Sequence, residues 1–137
     1  MKEIVTISFS SRSVNTRLAR AVIRSFLTIK NLPDEIIWDT ELGTNEALTN
    51  IIRHTYKNEE GKYITMTLIW EEPEKKLQIL LRDFGKPVDP SVMIPKMPSA
   101  EKEGGFGLYI IHKIFQTVEL VNLENGNLLK MTKVFEG

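Results

Sequence analysis

The stretch YITMTLIW, residues 63–70, has the alternation of a strand, setting Ile64, Met66, Leu68 and Trp70 on one face with Thr65 and Thr67 on the other. Successive side chains of a pleated backbone point to opposite faces, so this is the pattern of a half-buried strand. Glu71-Glu72-Pro73-Glu74 turns the chain, and KLQILLRD resumes the alternation with Leu77, Ile79 and Leu81. Two neighbouring strands with one apolar face each need a covering layer. Residues 11–29 read as a helix with Val14, Leu18, Ala21, Val22, Phe26 and Ile29 on one side, ended by Asn31-Leu32-Pro33. A second helix is expected over about 39–56, and a third follows GGFG, packing through Leu108, Ile111, Ile114 and Phe115. Residues 3–9 read as a strand, and Asn125-Gly126 is the hairpin signal that joins VELVNL to LLKMTKVF. With no internal repeat and no linker, the expectation is one α+β domain over 1–137, a two-layer sandwich of a mostly antiparallel sheet under helices.

Composition narrows the function classes. Eighteen basic and eighteen acidic residues cancel, so the broad positive field suited to nucleic acid or an anionic membrane is not expected. The chain has no cysteine and two histidines, His54 and His112, which argues against a disulfide framework or a structural zinc. MKEIVTISF lacks the apolar core of a signal peptide, and no later run approaches membrane-spanning length; a cytoplasmic protein is expected.

The second helix carries two distinct stripes. Glu46, Thr49, Asn50 and Arg53 recur at the i, i+3, i+4, i+7 spacing of one helix face, and Leu48, Ile51, Ile52 and Thr55 take the other. Thr and Asn are poorer helix formers than the Lys and Glu of an ordinary solvated face, so a carboxylate and an amide one turn apart call for another reason. Arg53 and His54 read as a solvated charge and a helix-end histidine.

Residues 84–107 stand apart. They hold Pro87, Pro90, Pro95 and Pro98 together with Gly85, Gly104, Gly105 and Gly107, and a loop of this length inside a small domain is usually functional or disordered. At its start Asp83 continues the apolar row Leu77-Ile79-Leu81, a position where a carboxylate needs hydrogen-bond donors. Gly85 follows, as it does where a flat ligand nears the backbone or where a capped turn simply needs a glycine. At its end, GGFGLYIIHKIF passes from glycines straight into a helix, whose free N–H groups form either a phosphate site or a flexible joint.

Taken together, ELGTNEALTNIIRHTY, RDFGKPVDP and EGGFGLYII resemble, in order and spacing, the N box and two glycine boxes of the ATPase superfamily that includes gyrase, the heat-shock chaperone, histidine kinases and the mismatch-repair protein. Within it, EALTNIIRHTY is most similar to the bacterial anti-sigma factor serine kinases. The resemblance implies the Bergerat ATP-binding fold, with ATP and Mg2+ as cofactors. It implies that Asn50 ligates the metal and that Glu46 is the general base. Asp83 would accept the adenine amino group with Gly85 beneath the base, and Gly105, Gly107 and the amide of Leu108 would hold the phosphates under a lid at about 90–104. Its implied partners are a sigma factor and an anti-sigma factor antagonist carrying the phospho-acceptor Ser or Thr, with a homodimer formed through the N-terminal strand and helix. The alternative is a nucleotide-gated partner-switching protein without kinase activity, which has no need of a base at Glu46. Two departures stand out: Pro87 replaces the second glycine of Asp-x-Gly-x-Gly, and Leu128 is taken as the position where relatives carry an adenine-contacting Thr.

Overall fold

The structure, a computed structural model, describes residues 1–93 and 105–136. The chain runs β1 (Lys2–Ser10), a 3-10 turn (Ser13–Asn15), α1 (Thr16–Ile29) and α2 (Asp34–Asn50), which continues into one π-helical turn (Ile51–Thr55). β2 (Tyr63–Glu71) and β3 (Lys76–Asp83) follow, then a 3-10 turn (Pro90–Met93), α3 (Gly105–Ile114), β4 (Thr117–Leu123) and β5 (Gly126–Val134). The five strands form one sheet in the order β1-β2-β3-β5-β4, each pair antiparallel. The α+β expectation holds, with the helices packed as a layer on one face of the sheet.

Alternation decides that face. Ile64, Met66, Leu68 and Trp70 on β2 and Leu77, Ile79 and Leu81 on β3 are buried, and register sets Met66 opposite Leu81 and Leu68 opposite Ile79. Fully burying an apolar side chain of this size contributes roughly 1.5–3 kcal/mol, so the paired rows hold the sheet against the helices. The other face is polar where β1 meets β2, with Thr6 and Ser8 hydroxyls 3.2 and 2.7 Å from those of Thr67 and Thr65.

The helices depart from their sequence reading in two ways. α1 buries Ala19, Ile23, Phe26 and Leu27, whereas Val14, Leu18 and Ile29 are 50%, 54% and 72% exposed and Ala21 is exposed. Polar pairing accounts for the rotation. Arg24 donates from Nε and Nη2 to the buried carboxylate of Glu41 on α2, and Arg20 lies 3.9 Å from the same group. A buried charge needs such partners, so the face of α1 turned to α2 is chosen partly by arginines, which an apolar count misses. α2 also starts five residues before the expected 39, directly after the extended Pro33, with Asp34 and Glu35 in its first turn. Acidic groups there favour the positive end of the helix dipole. Further along, a Cβ on Gly43 would meet Phe115 Cε2 at 2.8 Å, so the missing side chain lets the end of α3 close on α2.

The β4–β5 reversal is centred one residue earlier than expected. Leu123 pairs with Gly126, leaving Glu124 and Asn125 at the tip, and Gly126 opens β5 at φ 134°. Of the expected lid, Pro90–Met93 forms the 3-10 turn, and residues 94–104 lie outside the described residues.

Candidate nucleotide site

The end of α2, the end of β3 and the start of α3 converge. The i, i+4 spacing of Glu46 and Asn50 sets both on the side of α2 that meets α3. A Cβ on Gly107 would lie 2.7 Å from Glu46 Oε2 and 4.0 Å from Asn50 Oδ1. The Glu46 carboxylate thus rests against the N-terminal turn of α3, where exposed N–H groups and the helix dipole favour negative charge.

Below this contact lies a cavity of about 410 Å³. Ile51, Leu108, Leu120, Leu129 and Met93 give it apolar walls, and Asn50, His54, Thr55 and Asp83 supply polar groups at its border. An apolar slot with a few converging polar groups is the usual form of a small-molecule site. The π-helical turn shapes one edge: Tyr56 N–H donates to Ile51 O at 2.9 Å, widening the last turn of the helix. His54, read from sequence as a helix-end histidine, and Thr55, read on the stripe opposite Glu46 and Asn50, therefore border the cavity.

Asp83 is 3% exposed. Gly85 N–H and Asn127 Nδ2 both donate to its Oδ1, at 2.9 and 3.0 Å, which satisfies the need expected of a carboxylate in an apolar row. Both of these bonds fall on Oδ1, and Asp83 lines the cavity. Tyr56 ties the helix end to this strand end: its hydroxyl donates to Tyr63 O at 2.5 Å and accepts from Phe84 N–H at 2.7 Å. Burial pushes the Tyr56 phenol above its ordinary range, with the Phe84 N–H working the other way, so this hydroxyl keeps its proton and its donor role.

The cavity thus gathers Asn50, Asp83 and Leu108, with Glu46 and Gly107 in contact above it and Gly105 as the first residue of α3. Gly85 is not among the lining residues. It borders a separate cleft with Lys57 and Lys86, and a Cβ there would strike Thr55 Cγ2 at 2.5 Å. Two residues to which the sequence reading gave no part in the site complete it, Thr55 at the cavity border and Asn127 beside Asp83. Leu128, taken as the adenine-contacting position, sits on the other face of β5. Asn127 and Leu129 face the helices, and Asn127 stands opposite Asp83. Counting the row inward from Met131 would have found it.

A fit to a nucleotide can be judged from these groups alone. The apolar walls suit a flat ring, the Asp83 carboxylate suits an amino group on that ring, and the α3 N-terminus beside Asn50 suits phosphates and their cation. Comparison with known proteins agrees. Residues 9–133 match the family model described as the histidine kinase-like ATPase domain. The chain belongs to that family. An anti-sigma F factor from Oceanobacillus iheyensis is 29% identical over 139 residues, covering 97% of this chain and 93% of that protein. A serine-protein kinase RsbW from Staphylococcus aureus (strain MRSA252) is 30% identical over 105 residues, covering 71% of this chain and 65% of the kinase. Among solved structures, the RsbU and RsbW domains of Rv1364c from Mycobacterium tuberculosis superpose with a TM-score of 0.70 at 14% identity, covering 96% of this chain and 32% of that one. The histidine kinase domain from Erythrobacter litoralis EL346 superposes at 0.55 and 15% identity, covering 74% of this chain and 45% of that one. These structures share the fold of this ATPase domain. Among the described residues no helix is long and apolar enough to cross a membrane.

Proposed function

We propose that this histidine kinase-like ATPase domain is an ATP-dependent serine/threonine protein kinase and an anti-sigma factor, binding a sigma factor and phosphorylating an anti-sigma factor antagonist. The observation that carries the reading is the contact of Glu46 with the α3 N-terminus at Gly107, one helical turn from Asn50 and above the cavity that Asp83 borders. A nucleotide-gated binder has no use for a carboxylate at that point. The names of the anti-sigma F factor and RsbW relatives support the choice of partner and of reaction.

In this reading Asp83 accepts the amino group of the base, with its carboxylate held by Gly85 and Asn127. Gly105, Gly107 and the Leu108 amide, at the start of α3, meet the phosphates, while the Asn50 side-chain oxygen is a hard neutral donor for Mg2+. Bound ATP would supply the phosphoryl group, with the bond from the γ-phosphorus to the β–γ bridging oxygen breaking and ADP leaving. Glu46 receives the proton of the acceptor hydroxyl as the new oxygen–phosphorus bond forms, and its place beside α3 holds it at the phosphate end of the site.

Two substitutions separate the roles. Glu46→Gln should retain Mg-ATP binding and lose phosphoryl transfer by roughly 10²–10⁴-fold, whereas Asn50→Ala should weaken Mg-ATP binding itself. Labelled ATP with a candidate antagonist, beside a nucleotide titration, reads both. Transfer by Glu46→Gln at the wild-type rate would remove Glu46 as the base, and absence of transfer by the wild type would favour the partner-switching protein without kinase activity.

A further inference from the structure

His112 stands one residue beyond the second glycine box, and neither the boxes nor the proposed transfer uses it. Its Nε2 lies 2.5 Å from Met93 O. A carbonyl oxygen only accepts, so Nε2 carries the proton, and the neutral ring is held as the Nε2–H tautomer. The bond joins two sides of one cavity. His112 follows Leu108 by four residues and so shares its side of α3, and Leu108 and Met93 both line the cavity.

Met93 is the end of a short strap, since Val88, Val92 and Met93 all line the cavity. The near end is tied to the sheet: Val88 N–H donates to Asn127 Oδ1 at 3.0 Å, and Val88 O accepts from Asn122 Nδ2 at 2.9 Å. In between, Ser91 N–H donates to Asp89 Oδ1 and Val92 N–H to Asp89 O, each at 3.0 Å. Those two bonds shape the turn without tying it to the sheet or the helices. Asp89, Pro90, Ser91 and Val92 are exposed, and of the turn it is Met93 that packs against the core. A segment with so little buried surface opens at small free energy, so one side-chain tie at its far end has a large effect on how long it stays in place. We propose that His112 is a positioning residue for nucleotide retention: by holding Met93 O it keeps the Val88–Met93 strap along the cavity, and a bound nucleotide leaves more slowly for it. The inference rests on the nucleotide reading above, and it gives a part in binding to a residue that does not itself line the cavity.

The test compares full-length variants that differ in what they offer Met93 O. His112→Gln keeps an N–H donor at about the reach of Nε2, His112→Glu sets an acceptor oxygen there on a side chain of the same length, and His112→Leu offers neither. All three are good helix formers at a partly buried position, so α3 is expected to persist, and circular dichroism checks it. Each protein is loaded with fluorescent mant-ATP and Mg2+ and chased with excess ATP in a stopped-flow instrument. Release from His112→Glu and His112→Leu is expected to be about tenfold faster than from wild type, and from His112→Gln within about threefold of it. Where His112→Leu fails to fold, the Gln and Glu pair still decides, because the two differ in donor against acceptor and not in length. In the nucleotide-free wild type, long-range proton–nitrogen correlation should place the neutral ring's proton on Nε2. Release at the wild-type rate from His112→Glu, release from His112→Gln as fast as from His112→Glu, or a neutral ring protonated at Nδ1 would overturn the proposal and leave the nucleotide reading standing. A folded wild type that binds no mant-ATP would overturn the nucleotide reading and this inference with it.

Discussion

Replacing Gly107 by alanine separates the position of Glu46 from the stability of the fold. The new Cβ would lie 2.7 Å from Glu46 Oε2 and 3.7 Å from its Cδ, and the next atom, Asn50 Oδ1, is 4.0 Å away. Ordinary contact begins at 3.4 Å, so the carboxylate has to retreat by about 0.7 Å, a shift that the far end of a flexible side chain makes at little cost. The helix itself gains, because alanine in a helix is roughly 0.5–1 kcal/mol better than glycine. Gly107→Ala should therefore melt at or slightly above the wild-type temperature. Transfer should suffer: misplacing a catalytic group by about 1 Å can cost on the order of 10²-fold, so a fall of roughly 10- to 100-fold in kcat is expected. The backbone N–H groups of α3 stay in place, and KM for ATP should move by less than about threefold. Initial rates with a phospho-acceptor domain, together with a thermal melt, measure both. A variant as fast as wild type would refute the siting of Glu46 at the reacting hydroxyl, and one that unfolds would refute the contact geometry.

The base pocket and the β4–β5 turn give two further expectations. Mg-ATP at about a hundred times its Kd should stabilise the wild type by about 2.7 kcal/mol, a rise in Tm of roughly 5–10 °C. Asp83→Asn, which places a donor where an acceptor is needed, should lose most of that rise; an equal rise in the variant would remove Asp83 from the base contact. Gly126→Ala would bring a Cβ to 2.0 Å from Asp83 O at a backbone φ of 134°, and a loss of about 3 kcal/mol or more is expected. An unchanged urea midpoint would show that the close approach of β5 to β3 is not required.

What the sequence discloses here depends on how local the determining physics is. The rows of β2 and β3 were legible because each strand has one buried face, and Asp83 stood out because it continues such a row with a charge. Glu46 and Asn50 were legible because helical spacing alone sets them one turn apart. The orientation of α1 was not, since it depends on Arg24 meeting Glu41 seventeen residues away, a pairing that no periodicity reports. Asn127 was hidden for a related reason. Alternation from Met131 gives its face, but its partner is set by the register of β5 against β3, which brings it opposite Asp83 across 44 residues of sequence. The bordering positions of His54 and Thr55 follow from the π-helical turn, a one-residue change of phase without a sequence mark of its own.

The reading as a whole turns on phosphoryl transfer to a protein hydroxyl. Purified wild type, incubated with Mg-ATP and the antagonist domain that co-purifies with it, should add one phosphoryl group to a single Ser or Thr of that domain, read by intact mass and peptide mapping, and Glu46→Gln should add none on the same timescale. An antagonist that binds in the presence of ATP yet keeps its unmodified mass with wild type would contradict the kinase and leave a nucleotide-gated binding protein in its place.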